Sequence, residues 1–441
     1  MNFTKGSKQI LNILKDSGYK AYIVGGAVRD ALLGKPVNDI DITTSATPTQ
    51  MLEVFKDYKV YETGLKHGTI TVNCMGEFIE VTTFRVEDGY TDNRRPDSVK
   101  FVKDIKEDLK RRDFTINAMA YNDDEGLIDF FDGKKHLQEK VVKAVGDADQ
   151  RFKEDSLRIL RALRFASTLD FEIESQTKLA CKNNCHLLKN VSAERIYAEF
   201  NKLLQGKGVG KVLIENKEVI FEIIPELKVC DGFDQKSKYH CFDVYTHIVK
   251  SVEFADRDRL VRWALLLHDV KKPECFTTDE KGTGHFYGHS EKSARSAVEI
   301  LSRLKADNHT KKMVYSAVLM HDDDVPPNKK GVKTFLRNHG YELLKVLAKV
   351  KVGDALAHTL KYMHKRKDNA LALLSISEEV IRNNECYQLK DLKINGEHLK
   401  SLGFKGKQIK IALDKLLTEV IEDKIENDKE KLYNRATLLK L

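Results

Sequence analysis

The stretch GGAVRDALLGKPVNDIDI, residues 25–42, places two carboxylates, Asp39 and Asp41, shortly after a glycine pair, Gly25 and Gly26. If residues 39–42 are extended, alternate side chains face opposite ways. Asp39 and Asp41 then share one face about 6–7 Å apart, while Ile40 and Ile42 enter the core. Carboxylates so placed can hold Mg²⁺, and two-metal phosphoryl or nucleotidyl transfer needs ions roughly 3.5–4 Å apart. The glycines let backbone amides approach a triphosphate, and a helix beginning near Val28 would aim its N-terminus at it. No Walker A loop is present, and Thr44 stands where an EF-hand needs glycine. Singly, D-x-D is often a solvated strand end and Gly-Gly a turn. The ordered set is more specific: strand, Gly-Gly, Arg29-Asp30, then D-x-D.

Three further groupings carry chemistry. In EDSLRILRALR (154–164), Asp155, Arg158, Arg161 and Arg164 are three apart, beside Leu157, Leu160 and Leu163. On a helix these make two parallel, slowly drifting stripes, one polar and one apolar. A carboxylate can accept from an exocyclic amino group and a guanidinium can donate to ring acceptors, so such a pair can read a base edge. An ion-pair-laced surface helix fits the same run. Glu80, in FIEVTTF, is either a third carboxylate facing the metals or a surface strand glutamate. Finally, His247, the His268-Asp269 pair, His289, His321 and Asp354 are spread over several predicted helices. Imidazoles and carboxylates so distributed can bind one or two divalent metals.

The elements that must position these groups change along the chain. KAYIVGG, TITVNC and FIEVTTF have strand character. Thr47, Pro48 and Gln50 make a helix start with a capping box. After Asp147 strands almost stop and long helical patterns follow. The 441 residues exceed one core and imply about two to four domains. The layout is an α/β head at 1–145, a helical neck at 146–225, a helical body at 226–385 with most of the histidines, and a lysine-rich tail at 386–441. Composition, 41% hydrophobic and 32% charged, fits a globular chain. No apolar run approaches the roughly 18–20 residues of a membrane helix, so no membrane partner is expected. The N-terminus lacks a signal-peptide core and the expectation is cytoplasmic. Seven scattered cysteines without C-x-x-C argue against a zinc finger or disulfide framework. A net charge of +8 hints at an anionic partner.

GGAVRDALLG followed by NDIDITTSATP resembles the head of bacterial class II tRNA nucleotidyltransferases, the CCA-adding enzymes, a head shared with bacterial poly(A) polymerases. The resemblance implies a DNA polymerase beta-like mixed sheet, followed by all-α neck, body and tail. Asp39 and Asp41 would be catalytic Mg²⁺ ligands, and Gly26 and Arg29 nucleotide-binding. EDLKRRDFTINAMAY (107–121) resembles the ribose- and phosphate-contacting motif, with Arg111 and Arg112 on triphosphate oxygens and Asp113 on a ribose hydroxyl. Glu154, Asp155 and Arg158 match the family's base-selecting E-D-x-x-R, and Arg161 and Arg164 further nucleotide contacts. SAERIYAEFNKLL resembles a helix of structural role. The stretch RVEDGYTDNRRPDSV, from Arg85, resembles the loop linked to switching from CTP to ATP, and its length favours complete CCA addition. CC-only or A-only addition and poly(A) synthesis remain open. DFFDG (129–133) departs from the family's D-P-F-G-G. The order H…HD…H…H…D resembles HD-domain phosphohydrolases, with His247, His268, Asp269 and Asp354 as ligands, joined by His289 and His321, of a second divalent metal. Lys271 stands where many such proteins have glycine, which leaves hydrolase activity open. The implied partners are CTP, ATP and the tRNA acceptor arm, which the tail would help to hold.

Overall fold

Helix α1 (Lys5–Asp16) leads into strand β1 (Ala21–Val24), whose four residues are all buried. Gly25 follows with φ 72°, and a side chain there would meet Arg112 Nη1 at 2.8 Å. Glycine is therefore the residue that lets the chain turn here directly into α2 (Gly26–Leu32). That helix begins two residues earlier than the sequence pattern predicts. The computed structural model describes residues 1–37, 39–88 and 98–439.

β2 (Asp41–Thr44) pairs antiparallel with β1. The D-x-D is thus not wholly on a strand, because Asp39 precedes it. The alternation still holds: Asp39 and Asp41 are exposed, Ile40 and Ile42 buried. After β2, α3 (Pro48–Val54) starts as the sequence predicts, with Thr47 N donating to Gln50 Oε1 at 2.9 Å. β3 (Lys59–Tyr61), β4 (Thr69–Cys74) and β5 (Glu77–Thr83) follow. β6 (Arg85–Asp88) and β7 (Ser98–Phe101) pair as a separate antiparallel ribbon. The predicted nucleotide-switching loop is therefore strand-paired at both ends, and its residues 89–97 lie outside the described residues. α4 (Ile105–Lys110), β8 (Met119–Asn122) and β9 (Gly126–Asp129) complete the head.

The seven-stranded sheet runs β3-β4-β5-β2-β1-β8-β9, with β2 and β5 parallel and the other pairs antiparallel. Tyr22, Val24, Phe84 and Ala120 pack on Ile105 and Leu109 of α4. This burial fixes α4, and with it the arginines that follow it, over the open ends of β2 and β5.

In DFFDG, Asp129 accepts from Phe131 N, Gly133 N and Lys134 N. Asp132 takes the left-handed conformation, φ 60°, where the resembled pattern has glycine. Aspartate tolerates this region better than most residues. The next helix, α5 (Gly133–Gln138), needs its own glycine, since a Cβ on Gly133 would lie 2.4 Å from Thr115 O.

The predicted single helix over EDSLRILRALR is two. α6 (Ala148–Glu154) ends at Asp155, which is extended (φ −132°, ψ 102°), and α7 (Leu157–Leu169) restarts after Ser156. Strands also do not quite end at Asp147, since 172–173 pairs in parallel with 141–142. Helices Ser175–Asn184, Ala193–Leu204, Val209–Glu215 and Lys217–Ile223 follow. Contacts divide the chain once, into units Met1–Pro225 and Glu226–Leu441.

The second unit is helical apart from one two-residue strand pair. Helix Arg259–Leu267 is its buried centre, with Trp263 fully enclosed. Its neighbours include Val244–Phe254, His289–Arg303, Asn308–Leu319 and Tyr341–Leu356. Aspartates cap several of these starts: Asp243 accepts from Thr246 N and Asp307 from Thr310 N. The C-terminal helices Gly396–Ser401, Lys407–Ile421 and Lys429–Leu438 bury their own cluster around Leu399, Leu416 and Leu432. Among the described residues no helix is long and apolar enough to cross a membrane. All seven cysteines are free.

Candidate active site of the head and a histidine–aspartate cluster in the body

In the parallel register of β2 and β5, Asp41 stands beside Glu80. Both side chains lie on the sheet face that α4 covers, at its open end, and Asp39 is two residues away. Asp39, Asp41 and Glu80 have no hydrogen-bond or ion-pair partner among the described residues. Desolvation at the sheet end pushes up the carboxyl of Asp41; Arg112 opposes this and Asp39 adds to it. Glu80 is pushed up by desolvation and then by Asp41. Unpaired carboxylates that disfavour one another's charge are a set that a divalent cation relieves, and hard oxygen ligands of this kind suit Mg²⁺.

The arginines that follow α4, and Arg29 of α2, are braced. Asp108, fully buried, accepts from Thr43 Oγ1, Arg85 N and Arg111 Nε, and lies 3.8 Å from Arg112 Nη2. Burial lowers Arg112, with Asp108 opposing, and its Nε has no protein acceptor. Arg29 grips Asp30 with two bonds of 2.9 Å and donates to Asn117 Oδ1 at 2.7 Å.

α7 supplies the rest. The phenyl ring of Phe165 carries three guanidiniums, with centroid distances of 5.2 Å to Arg29, 5.4 Å to Arg161 and 3.9 Å to Arg164. Arg161 donates twice to Asp113 Oδ2, and Arg164 Nε lies 2.6 Å from Glu199 Oε2. Asp113 also accepts from Asn117 Nδ2 and Phe114 N. Burial would raise its carboxyl, but Arg161 and these donors hold it at about 2. Arg164 is lowered to about 10 by burial, with Glu199 opposing.

The predicted exposed stripe is therefore a set of half-buried, paired groups. Arg158 is buried and donates to Glu154 Oε2 (2.9 Å) and to the carbonyls of Arg151 and Arg111. Asp155, at the break between α6 and α7, caps Leu157 N and receives Arg195 Nη2 at 3.3 Å. Arg195 and Glu199 lie on helix Ala193–Leu204, to which sequence reasoning assigned no chemistry. The signal was present as charged residues four apart in SAERIYAEF, but their partners are some forty residues upstream. Asn117 and Phe165 were missed for the same reason.

In the second unit the histidines do converge. His247 Nε2 lies 3.0 Å from Asp354 Oδ1, and His268 Nε2 3.1 Å from Asp269 Oδ2. His289 Nε2 is 3.3 Å and His321 Nε2 3.7 Å from Asp269 Oδ1, and both approach Asp322 Oδ2. Every Nδ1 faces a backbone carbonyl: Leu265 for His268, Val318 for His321, Phe286 for His289 and Ala357 for His247. A carbonyl can only accept, so each Nδ1 carries a proton and each Nε2 faces the centre. His268 Nε2 and both oxygens of Asp269 are buried without an aligned hydrogen bond. Groups of three, such as His247, His268 and Asp354, have ligand atoms within 4.8 Å of one another. This donor set fits a divalent metal.

Asp269 and Asp354 are held well below the usual carboxylate range. Burial opposes this, but His268 and Lys272 outweigh it at Asp269, and His358 and His247 at Asp354. Burial keeps His247 low despite Asp354. His268 differs: burial opposes its charge, but Asp269 and Asp354 push it up to about 10, so a metal there displaces a proton. Lys271 does not crowd this centre, since it pairs with Glu274 outside. The lysine inside is Lys272, 2.7 Å from Asp269 Oδ2. Asp322, His358 and Arg366 complete the surroundings and were not picked out from sequence.

A mixed sheet ending in unpaired carboxylates, faced by braced arginines, defines a nucleotidyltransferase head. The family model described as the poly A polymerase head domain matches residues 21–143. Residues 170–228 match the probable RNA- and SrmB-binding site of polymerase A, and 286–436 the putative tRNA nucleotidyltransferase domain 2. A CCA-adding enzyme of Ligilactobacillus salivarius is 35% identical over 99% of this chain and 96% of its own. One from Pediococcus pentosaceus is 47% identical over 53% of this chain, a match spanning 57% of that relative. The crystal structure of the Bacillus stearothermophilus CCA-adding enzyme in complex with CTP aligns with a TM-score of 0.70 at 27% identity, covering 99% of this chain and 97% of that one. The chain belongs to the CCA-adding enzyme family.

Proposed function

We propose that the chain adds the 3′-terminal CCA to tRNA without a template, from CTP and ATP, releasing pyrophosphate. The observation that carries this is the trio of unpartnered carboxylates, Asp39, Asp41 and Glu80, at the end of the sheet, with the charge of Arg112 acting on Asp41. Mg²⁺ held by Asp39 and Asp41 would neutralise triphosphate charge and lower the pKa of the attacking 3′-hydroxyl. Gly25 and Gly26 admit the triphosphate close to the backbone, where Arg29, Arg111 and Arg112 meet its oxygens. Asp113 orients Arg161, and because Arg161, Asn117 and Phe114 N fill its four acceptor sites, a ribose hydroxyl would take the place of one of these donors. Asp155 and Arg158 read the base, held in place by Arg195 and Glu154, with Arg161 and Arg164 completing the nucleotide contacts. In this reading the head (1–145), neck (146–225), body (226–385) and tail (386–441) divide the work, with basic surface holding the acceptor arm by its phosphates. Free thiols and a tRNA substrate suit the cytoplasm.

The test supplies Mg²⁺, CTP, ATP or both to tRNA transcripts lacking CCA, ending in C, or ending in CC, and reads products at single-nucleotide resolution. Completion of CCA from all three supports the reading. Arrest at CC, or extension only from CC, replaces it with partial addition; long A-tails replace it with poly(A) synthesis.

A second reading concerns the body. The inward Nε2 atoms and the buried Asp269 oxygens, ion-paired but without an aligned hydrogen bond, support an HD-type centre with His247, His268, Asp269, His289, His321 and Asp354 as ligands of a divalent metal. A metal there lowers the pKa of water toward neutrality, which suits phosphate-ester hydrolysis. Elemental analysis of the purified chain and cyclic phosphodiester hydrolysis, each compared with His268→Ala, test it. A chain that takes up no metal in this unit overturns it.

A further inference from the structure

Beside the histidine–aspartate cluster lies a cleft of about 380 Å³ whose cationic groups the metal reading does not use. Arg366, on helix Leu360–Arg382, places Nη1 3.5 Å from Asp354 Oδ2 and 3.2 Å from His358 Nε2. His358 Nδ1 donates to the carbonyl of Asp354 at 2.8 Å, so its Nε2 is an acceptor and orients the guanidinium. Arg366 remains 53% exposed, with donors left for the cleft. Lys272 also lines the cleft, fixed by Asp269 and by Gln235 Oε1 at 3.1 Å. Lys351, by contrast, is occupied, donating to the carbonyls of His321 and Asp323.

A guanidinium held against a metal-ligating carboxylate repels the metal. It becomes favourable when an anion sits between them. A phosphoryl group has enough oxygens to meet a metal with one and a planar fork of donors with two others. We propose that Arg366, oriented by His358 and sharing the cleft with Lys272, is the phosphate-binding wall of the body site. This rests on the metal-centre reading above.

The chain's sole tryptophan, Trp263, lies five residues before His268, about 7–8 Å along a helix axis. Quenching of its emission by Co²⁺ that is lost in His268→Ala therefore reports metal in this cluster. The full chain is loaded with Co²⁺ and titrated with inorganic phosphate, following residual Trp263 emission and the visible Co²⁺ absorption. Arg366→Gln should keep the quenching and weaken phosphate binding about tenfold or more, with partial recovery in Arg366→Lys, which retains charge without the fork. A variant Arg366→Gln that binds both Co²⁺ and phosphate as the native chain does overturns the proposal. So does one that loses Co²⁺, which would make Arg366 a support for the metal ligands. A native chain that Co²⁺ does not quench overturns the metal centre itself, and this proposal with it.

Discussion

The head and the body each gather carboxylates, but they prepare them differently. In the head, Asp39, Asp41 and Glu80 are few, open and unpartnered, while the arginines around them are locked by Asp30, Asp108, Asp113 and Glu199. In the body the candidate ligands are many and buried, and a backbone carbonyl orients each imidazole. The difference follows from what the incoming group brings. A nucleoside triphosphate supplies oxygen ligands of its own, so a Mg²⁺ site needs only one or two protein carboxylates. A resident metal must find its whole shell in the protein, with the outer hydrogen bonds that aim it.

The strongest way to break this contrast is to exchange the losses. Asp41→Asn should reduce nucleotide addition on the order of 10³-fold, several kcal/mol of transition-state stabilisation, while leaving metal in the body unchanged by elemental analysis. His268→Ala should do the reverse: metal content of the body falls, and CCA addition in a primer-extension assay stays within about twofold. A variant that loses both activities would mean that the two centres are not separate.

Smaller effects sharpen the idea that the head's arginines are held by buried acids. Glu199→Gln removes the partner of Arg164, and should lower the stability of the first unit by about 2–3 kcal/mol, read from urea unfolding midpoints at constant slope. Asp113 adds a pH signature. Its folded pKa, about 2, lies below the ordinary aspartate value of 3.8, so its stabilisation is present above about pH 4 and lost as pH falls toward 2. The loss is about 2 kcal/mol. Asp113→Asn should flatten that part of the stability curve. The smallest change is at the turn: Asp132→Gly should stabilise the head by about 0.5 kcal/mol, by relieving a left-handed aspartate. A loss of stability there would show that the aspartate's side chain contributes something its backbone cost conceals.

Much of this was legible. β1, β4, β5 and the capped helix at Pro48 follow from local pattern and turn chemistry. The D-x-D alternation and the grouping of the histidines and aspartates of the second unit were legible too. The helix break at Asp155 was not legible, because EDSLRILRALR keeps an unbroken helical period, and the extended backbone there is set by Asp155 capping Leu157 N and by Arg195. Which of Lys271 and Lys272 reaches Asp269 was not legible for a similar reason. One-residue steps around a helix end turn neighbouring lysines in different directions, and only packing decides that Lys272 enters.

The sequence by itself determined residue types and short-range geometry: which residues could ligate, which faces were apolar, where glycine had to turn. Those depend on spacing along one element, where period and sterics leave few choices. Tertiary structure alone decided the partnerships: Glu80 beside Asp41, Asp113 under Arg161, Glu199 under Arg164, Arg366 against Asp354. These join residues from 12 positions apart, as Arg366 and Asp354 are, to 48 apart, as Arg161 and Asp113 are. Most of the contacts cross between elements whose relative placement is set by burial of the apolar faces behind them. The charges then pair according to where that burial leaves them.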